Sequence, residues 1–294
     1  PMKYVAAIDV GGTQIKAALV SQSFEIISTE IIETPKDSSG QKTALAISDL
    51  VKKFQANQQI AALGFATPGA IDEPNGIVRW AGNLSWKNVE ILELVREKVA
   101  IPSVLSHDVR SGMVAELRDG AAKGFSNSIF VPVGTGIAAA LVMDGQIRSS
   151  DGFAGEIGHL NVGHNRDCVC GKKGCLEAIS SGSAISQTYK ELSGRESLTD
   201  EIVNSDDPVA KQVWSDAMRF LAIAIESMIT TLSPEVIVFG GGVSQAGSKL
   251  IDPIQSFLDD RLTFQRRPKL EIAKYGKFAG TIGCAMLAFD LVKP

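Results

Sequence analysis

Apolar residues along this chain occur in two patterns, short unbroken runs and stripes spaced three and four apart, and their alternation predicts an α/β fold. Tyr4 to Val10 and Ile15 to Val20 flank a tight Gly11-Gly12-Thr13 turn, and Glu25 to Glu33 follows the polar Ser21-Gln22-Ser23, so three short strands are expected. Leu45, Ile47, Leu50, Val51 and Phe54 predict a helix over 43–55, and Ile60 to Ala66 a buried strand running into Thr67-Pro68-Gly69. A helix over 89–99, a strand from Ser103 to His107 and a helix over 112–123 follow.

A second series then opens like the first. Val10-Gly-Gly-Thr-Gln-Ile-Lys-Ala-Ala-Leu-Val20 returns, with one deletion, as Val133-Gly-Thr-Gly-Ile-Ala-Ala-Ala-Leu-Val142, which points to an internal duplication of strand, glycine turn and strand. Val213, Ala217, Phe220, Leu221, Ala224, Ile225, Met228, Ile229 and Leu232 form a helical stripe over 209–232, ended by Ser233-Pro234. Glu235 to Phe239 reads as a strand entering Gly240-Gly241-Gly242, followed by a helix over 247–260, a strand over 269–273 and a closing helix over 279–291. The irregular stretch 149–173 is too long for an ordinary connection, and loops of that length usually carry function.

Composition narrows the class. The 294 residues suit two domains, and 45% hydrophobic with 21% charged residues argues against disorder. A net charge of −4 gives no electrostatic reason to expect nucleic acid or an anionic membrane. The longest apolar run, 129–143, is broken by Pro132, Gly134 and Gly136, and the first residues reach a charge too soon for a secretory signal. A soluble, cytoplasmic protein is expected. Cys168, Cys170 and Cys175 fall within eight positions beside histidines while Cys284 stands apart, which favours a metal site over a disulfide framework.

Three glycine turns at strand ends, Gly11-Gly12-Thr13, Gly134-Thr135-Gly136 and Gly240-Gly241-Gly242, suit the close approach of phosphate to backbone N–H groups. Asp9, just before the first turn, could hold Mg²⁺ through water. Asp108 ends a strand, where catalytic acids of α/β sheets sit, and is equally placed to cap the helix after it. Glu156 and His159, flanked by glycines, suit the hydroxyls of a polyol. Three thiolates need a fourth ligand for tetrahedral zinc, and either His159 or His164 could supply it.

Together these motifs resemble the ROK family of sugar kinases, in the actin-like ATPase superfamily, over essentially the whole chain. The resemblance rests on Asp9-Val-Gly-Gly-Thr13, Ala66-Thr-Pro-Gly-Ala-Ile-Asp72, Gly82-Asn83-Leu84-Ser85-Trp86, Gly134-Thr135-Gly136, Gly155-Glu-Ile-Gly-His159, the cysteine run through Glu177, and Gly240-Gly-Gly242. It implies two actin-like (ribonuclease H-like) α/β domains with mixed sheets around a central cleft. The smaller would hold 1–108 joined by 279–294, and the larger 109–278 with the cysteine loop. It implies ATP-dependent phosphorylation of the primary 6-hydroxyl of a hexose, glucose first, with an N-acetylmannosamine or N-acetylglucosamine kinase as the alternative and a non-catalytic sugar-sensing regulator third.

By the same resemblance Asp108 is the base, and Gly69, Asn83, Asp108, Glu156, His159 and Glu177 bind the sugar. Asp9, Gly11, Gly12, Thr13, Gly134, Thr135, Gly136 and Gly240 to Gly242 would meet ATP and its Mg²⁺. His159, Cys168, Cys170 and Cys175 would hold a structural Zn²⁺, which favours His159 over His164. Repressor relatives carry an N-terminal DNA-binding segment, whereas here Asp9 opens the phosphate turn almost at the start, so no nucleic acid and no membrane partner is expected, and a homodimer or higher homo-oligomer is. The chain departs from the family's usual Asn-Asp-Ala-Asn, reading His107-Asp108-Val109-Arg110.

Overall fold

The structure, a computed structural model, describes residues 3–293; the first two residues, on which the expectation of no leader partly rests, lie outside that range. The chain divides into two compact units. One takes the chain up to Arg118, Ser149–Phe153 and the chain from Phe278 onward; the other takes Asp119–Arg148 and Ala154–Lys277.

In the first unit, β1 (Tyr4–Val10), β2 (Gln14–Ser21) and β3 (Ile26–Glu33) form an antiparallel meander, followed by α1 (Gln41–Gln55) and β4 (Ile60–Thr67). A small antiparallel sheet comes next, from β5 (Ala70–Asp72), β6 (Ile77–Ala81) and β7 (Trp86–Val89), then α2 (Ile91–Arg96), β8 (Ser103–His107) and α3 (Asp108–Asp119). The main sheet runs β3-β2-β1-β4-β8, with β4 parallel to both β1 and β8. Its central strands are covered on both faces, which is why they read as unbroken apolar runs. Ile8 and Phe65 are fully buried, each worth roughly 1.5–3 kcal/mol of transfer free energy.

The second unit opens with β9 (Ser128–Pro132), β10 (Ala140–Met143) and β11 (Gln146–Arg148), and continues with α4 (Glu177–Ser180), α5 (Gly182–Ser193), α6 (Thr199–Asn204) and α7 (Pro208–Leu232). It closes with β12 (Val236–Gly240), α8 (Ser248–Arg261) and β13 (Lys269–Ile272). Its sheet order, β11-β10-β9-β12-β13, repeats the first strand for strand: an antiparallel meander, then two parallel strands on its inner edge. Asp207 caps α7 by accepting from the Val209 N–H at 3.1 Å, and the predicted stripe is buried except for Leu232 at its end.

The final helix, α9 (Ala279–Asp290), packs on β1 and β4 of the first unit. Two glycines make this possible. A Cβ at Gly64 would lie 2.0 Å from the Cys284 carbonyl oxygen, and one at Gly283 would lie 1.7 Å from that of Ser111. Among the described residues no helix is long and apolar enough to cross a membrane.

Several expectations need correction. The helix expected over 112–123 begins at Asp108 and ends at Asp119, because a side chain before it satisfies its first N–H groups. The helix expected over 89–99 is only Ile91–Arg96, since Trp86–Val89 pairs with β6. The small sheet, α4 and α6 are too short to show a period, and α5 buries only Ile185 and Tyr189, so its apolar stripe is too sparse to stand out.

Candidate active site

In the first unit the predicted residues gather at the carboxyl ends of β1, β4 and β8. The Gly11 N–H donates to the Gln14 carbonyl at 2.9 Å, closing the β1–β2 turn. Thr34 Oγ1 donates to the Gly11 carbonyl at 2.7 Å and Lys36 Nζ to that of Gly12 at 2.9 Å, so two residues that the motif did not reveal hold the turn. A Cβ on Gly12 would stand 2.8 Å from that of Asn83, so the turn and the Gly82–Leu84 segment touch. Gly69 has φ +108° and a Cβ there would lie 2.2 Å from the Trp80 carbonyl oxygen, which ties the end of β4 to the strand leading into Asn83.

Asp9 and Asp108 are close enough to repel. Burial first, and then the charge of Asp108, push Asp9 up to about 6, with Lys16 pulling the other way. Burial also pushes Asp108 up to about 6, against the Val109 N–H and the Arg110 charge, although its side chain keeps 35% exposure and so stays accessible to a substrate. Two neighbouring carboxylates held this way are a donor set suited to a divalent cation carried by a nucleotide.

The question of the helix cap is settled by His107. Its Nδ1 accepts from the N–H groups of Val109 at 3.2 Å and Arg110 at 3.4 Å, so the imidazole caps α3 and Asp108 is its first residue. Burial and the Arg110 charge lower the His107 pKa to about 3, so the ring is neutral at physiological pH. The Asp108 carboxylate accepts from Val109 N–H at 2.8 Å and lies at the positive end of the helix.

In the second unit the candidate residues form one connected group. Glu177 Oε2 accepts from the Ile137 N–H at 2.9 Å, and a Cβ on Gly136 would come 2.6 Å from the same oxygen. Gly155 has φ +99°, and a Cβ there would fall 1.9 Å from the Ala139 carbonyl oxygen, so the Glu156 to His159 segment lies close along the chain after Thr135. The Val133 N–H donates to the Gly240 carbonyl at 2.9 Å and the Val243 N–H to the Val133 carbonyl at 3.0 Å, which joins the two glycine turns. Gly134 and Gly242 face open space on their Cβ side.

The four donors His159, Cys168, Cys170 and Cys175 lie within 4.8 Å of one another. His159 Nδ1 is 3.7 Å from Cys168 Sγ, and Cys170 Sγ is 3.7 Å from Cys175 Sγ. Zinc–sulfur bonds of about 2.3 Å in a tetrahedron would set sulfurs about 3.8 Å apart, so the cluster fits zinc and is far too open for a disulfide. Burial and the neighbouring thiols push the Cys175 thiol up to about 12, a conflict that a bound cation resolves by taking thiolates. His164 is occupied elsewhere: Nε2 meets the Cys175 carbonyl at 2.9 Å, Nδ1 accepts from the Arg166 N–H at 3.0 Å, and the ring packs edge-on against Phe220.

The ROK family model matches residues 5–290. The chain is 30% identical to a Glucokinase of Halalkalibacterium halodurans, over 96% of this chain and 93% of that protein. It is 29% identical to an N-acetyl-D-glucosamine kinase of Mannheimia succiniciproducens, over 95% of this chain and 97% of that one. The solved structure of a ROK family glucokinase from Streptomyces griseus in complex with glucose and AMPPNP superposes with a TM-score of 0.86 at 26% identity, covering 98% of this chain and 99% of that chain. With a family match that spans nearly all of its length, the chain belongs to the ROK family.

Proposed function

We propose that this protein is an ATP-dependent sugar kinase that phosphorylates the primary 6-hydroxyl of a hexose, with glucose as the first candidate. The observation that carries the reading is Asp108, an accessible carboxylate with a raised pKa at the end of β8, beside Asp9 and the β1–β2 glycine turn. Phosphoryl transfer asks mainly for positioning and charge stabilisation. Asp108 takes the proton of the 6-hydroxyl as that oxygen bonds to the γ-phosphorus and the bond to the β-phosphate oxygen breaks, releasing ADP. Gly69, Asn83, Glu156, His159 and Glu177 are the proposed partners of the sugar hydroxyls. The turns at Gly11, Gly12 and Thr13, at Gly134 to Gly136 and at Gly240 to Gly242 offer N–H groups to phosphate.

Mg²⁺ carried with ATP, near Asp9, would draw charge from the phosphate oxygens. Zinc on His159, Cys168, Cys170 and Cys175 would have four protein ligands, so its part is structural. With Nδ1 on the metal, His159 Nε2 would carry the hydrogen and donate to a hydroxyl.

The similarity to an N-acetyl-D-glucosamine kinase favours N-acetylhexosamines as the second reading. The same reading makes the protein a cytoplasmic homodimer or larger homo-oligomer. Sugar 6-phosphate formation measured over glucose, mannose, N-acetylglucosamine and N-acetylmannosamine, with ATP and separately with polyphosphate, tests it. Highest kcat/KM with glucose and ATP is expected, an N-acetylated sugar in front would select the second reading, and no sugar phosphate formed from any of them would overturn both.

A further inference from the structure

The residues around Asp108 form a clamp that includes His107 and Arg110, the two positions at which the chain departs from the family's usual Asn-Asp-Ala-Asn. Glu73, in the turn after β5, lies far from Asp108 in sequence, yet its carboxylate grips both flanks of that residue. Oε1 accepts from Ser106 Oγ at 3.1 Å and from the His107 N–H at 3.0 Å, and Oε2 accepts from Arg110 Nε at 3.1 Å. The Arg110 side chain is only 4% exposed, and its Nη2 is buried without a hydrogen-bond partner. A guanidinium so enclosed is stable only beside its counter-charge.

His107 completes the arrangement. Its backbone is held by Glu73, its Nδ1 caps α3, and its Nε2 therefore carries the hydrogen and stands 3.3 Å from Asp108 Oδ1. Three hydrogen bonds on one carboxylate thus fix the residues before and after Asp108 and leave its side chain little choice of direction. Holding a reacting group in place matters because a displacement of about 1 Å can cost on the order of 10²-fold in rate.

We propose that Glu73, acting through Ser106 and the backbone of His107 and with Arg110 as its counter-charge, is the positioning residue for Asp108. This rests on the reading of Asp108 as the base. Glu73 touches no reacting atom; it keeps the first turn of α3 in register with the end of β8.

Two double variants make the test, because both remove the buried Arg110 charge and differ only at position 73. Glu73→Ala/Arg110→Gln loses every bond of the clamp. Its kcat should fall about tenfold or more while the sugar KM stays within about threefold. Glu73→Gln/Arg110→Gln keeps an oxygen for Ser106 and His107, and its kcat should return to within about threefold of the parent protein. Equal kcat in the two variants, or a change in KM alone, would overturn the proposal. Melting temperature and zinc content of each variant report whether the fold is kept, and a kcat loss that tracks unfolding rather than position 73 also overturns it. Asp108→Asn, made alone, separates the two ideas. Near-normal turnover there would remove the base reading itself. If Asp108→Asn is slow and Glu73→Ala/Arg110→Gln slows it no further, the clamp acts through Asp108; a further loss of the same size means that it does not.

Discussion

Asn83 stands directly against Gly12: a methyl group added at Gly12 would come 2.8 Å from Asn83 Cβ and 3.3 Å from its carbonyl oxygen. The β1–β2 turn and the segment proposed to bind sugar are therefore packed in direct contact. Gly12→Ala must push Asn83 aside, and the KM for sugar should rise on the order of tenfold together with the KM for ATP. Steady-state kinetics in both substrates checks this, and a rise confined to ATP would show that Asn83 does not feel the turn.

Asp108→Asn keeps the shape of the side chain and removes its basic lone pair. A kcat loss on the order of 10²–10⁴ is expected, with sugar affinity by calorimetry nearly unchanged. Helix α3 should survive, because Asn keeps an oxygen for the Val109 N–H and His107 Nδ1 still accepts from Val109 and Arg110.

The pH profile follows from the same carboxylate. A base must be ionised to work, and burial raises Asp108 from the ordinary carboxylate range near 4 to about 6. Activity is therefore full above about pH 7 and lost as pH falls through about 6, with Asp9 and Asp108 titrating as an interacting pair. His107, lowered to about 3, adds nothing in this range. A kcat/KM that stayed flat down to about pH 4.5 would be inconsistent with this account.

Gly134→Val probes the nucleotide. A Cβ at Gly134 meets nothing within 4 Å, so the fold should tolerate the change and its melting temperature should hold. The KM for ATP should rise about tenfold or more, while sugar binding measured without nucleotide is spared. Unchanged ATP kinetics would take this turn out of the nucleotide site.

Elemental analysis should find one zinc per chain. Cys170→Ser should lose it and weaken sugar binding strongly, since the metal orders the loop that carries Glu156 and His159; structural zinc is worth roughly 10–16 kcal/mol in small peptides. His164→Ala should keep the metal and lose only stability, about 1 kcal/mol, from its half-buried hydrogen bonds and its contact with Phe220. Loss of zinc from His164→Ala with retention in His159→Ala would reverse the ligand assignment.

What the chain determined by itself is the local part. Nearly continuous apolar runs that end at glycines mark strands such as Tyr4–Val10 and Val236–Gly240, because a strand covered on both faces must be apolar at almost every position. The close spacing of Cys168, Cys170 and Cys175 marks the metal site, because a short loop can bring three donors to one point with little entropic cost. The repeat at Val10 and Val133 anticipated two meanders, and the matching strand orders extend it to whole sheets. Only the tertiary structure decided the rest. It placed His159 beside the three thiols and gave both nitrogens of His164 other partners, where spacing alone could not separate the two imidazoles. It gave the cap of α3 to His107, and it brought Glu73 across more than thirty residues to Ser106, His107 and Arg110. Periodicity records which face of an element is buried. It carries no record of which distant side chain will meet that element once the chain has folded.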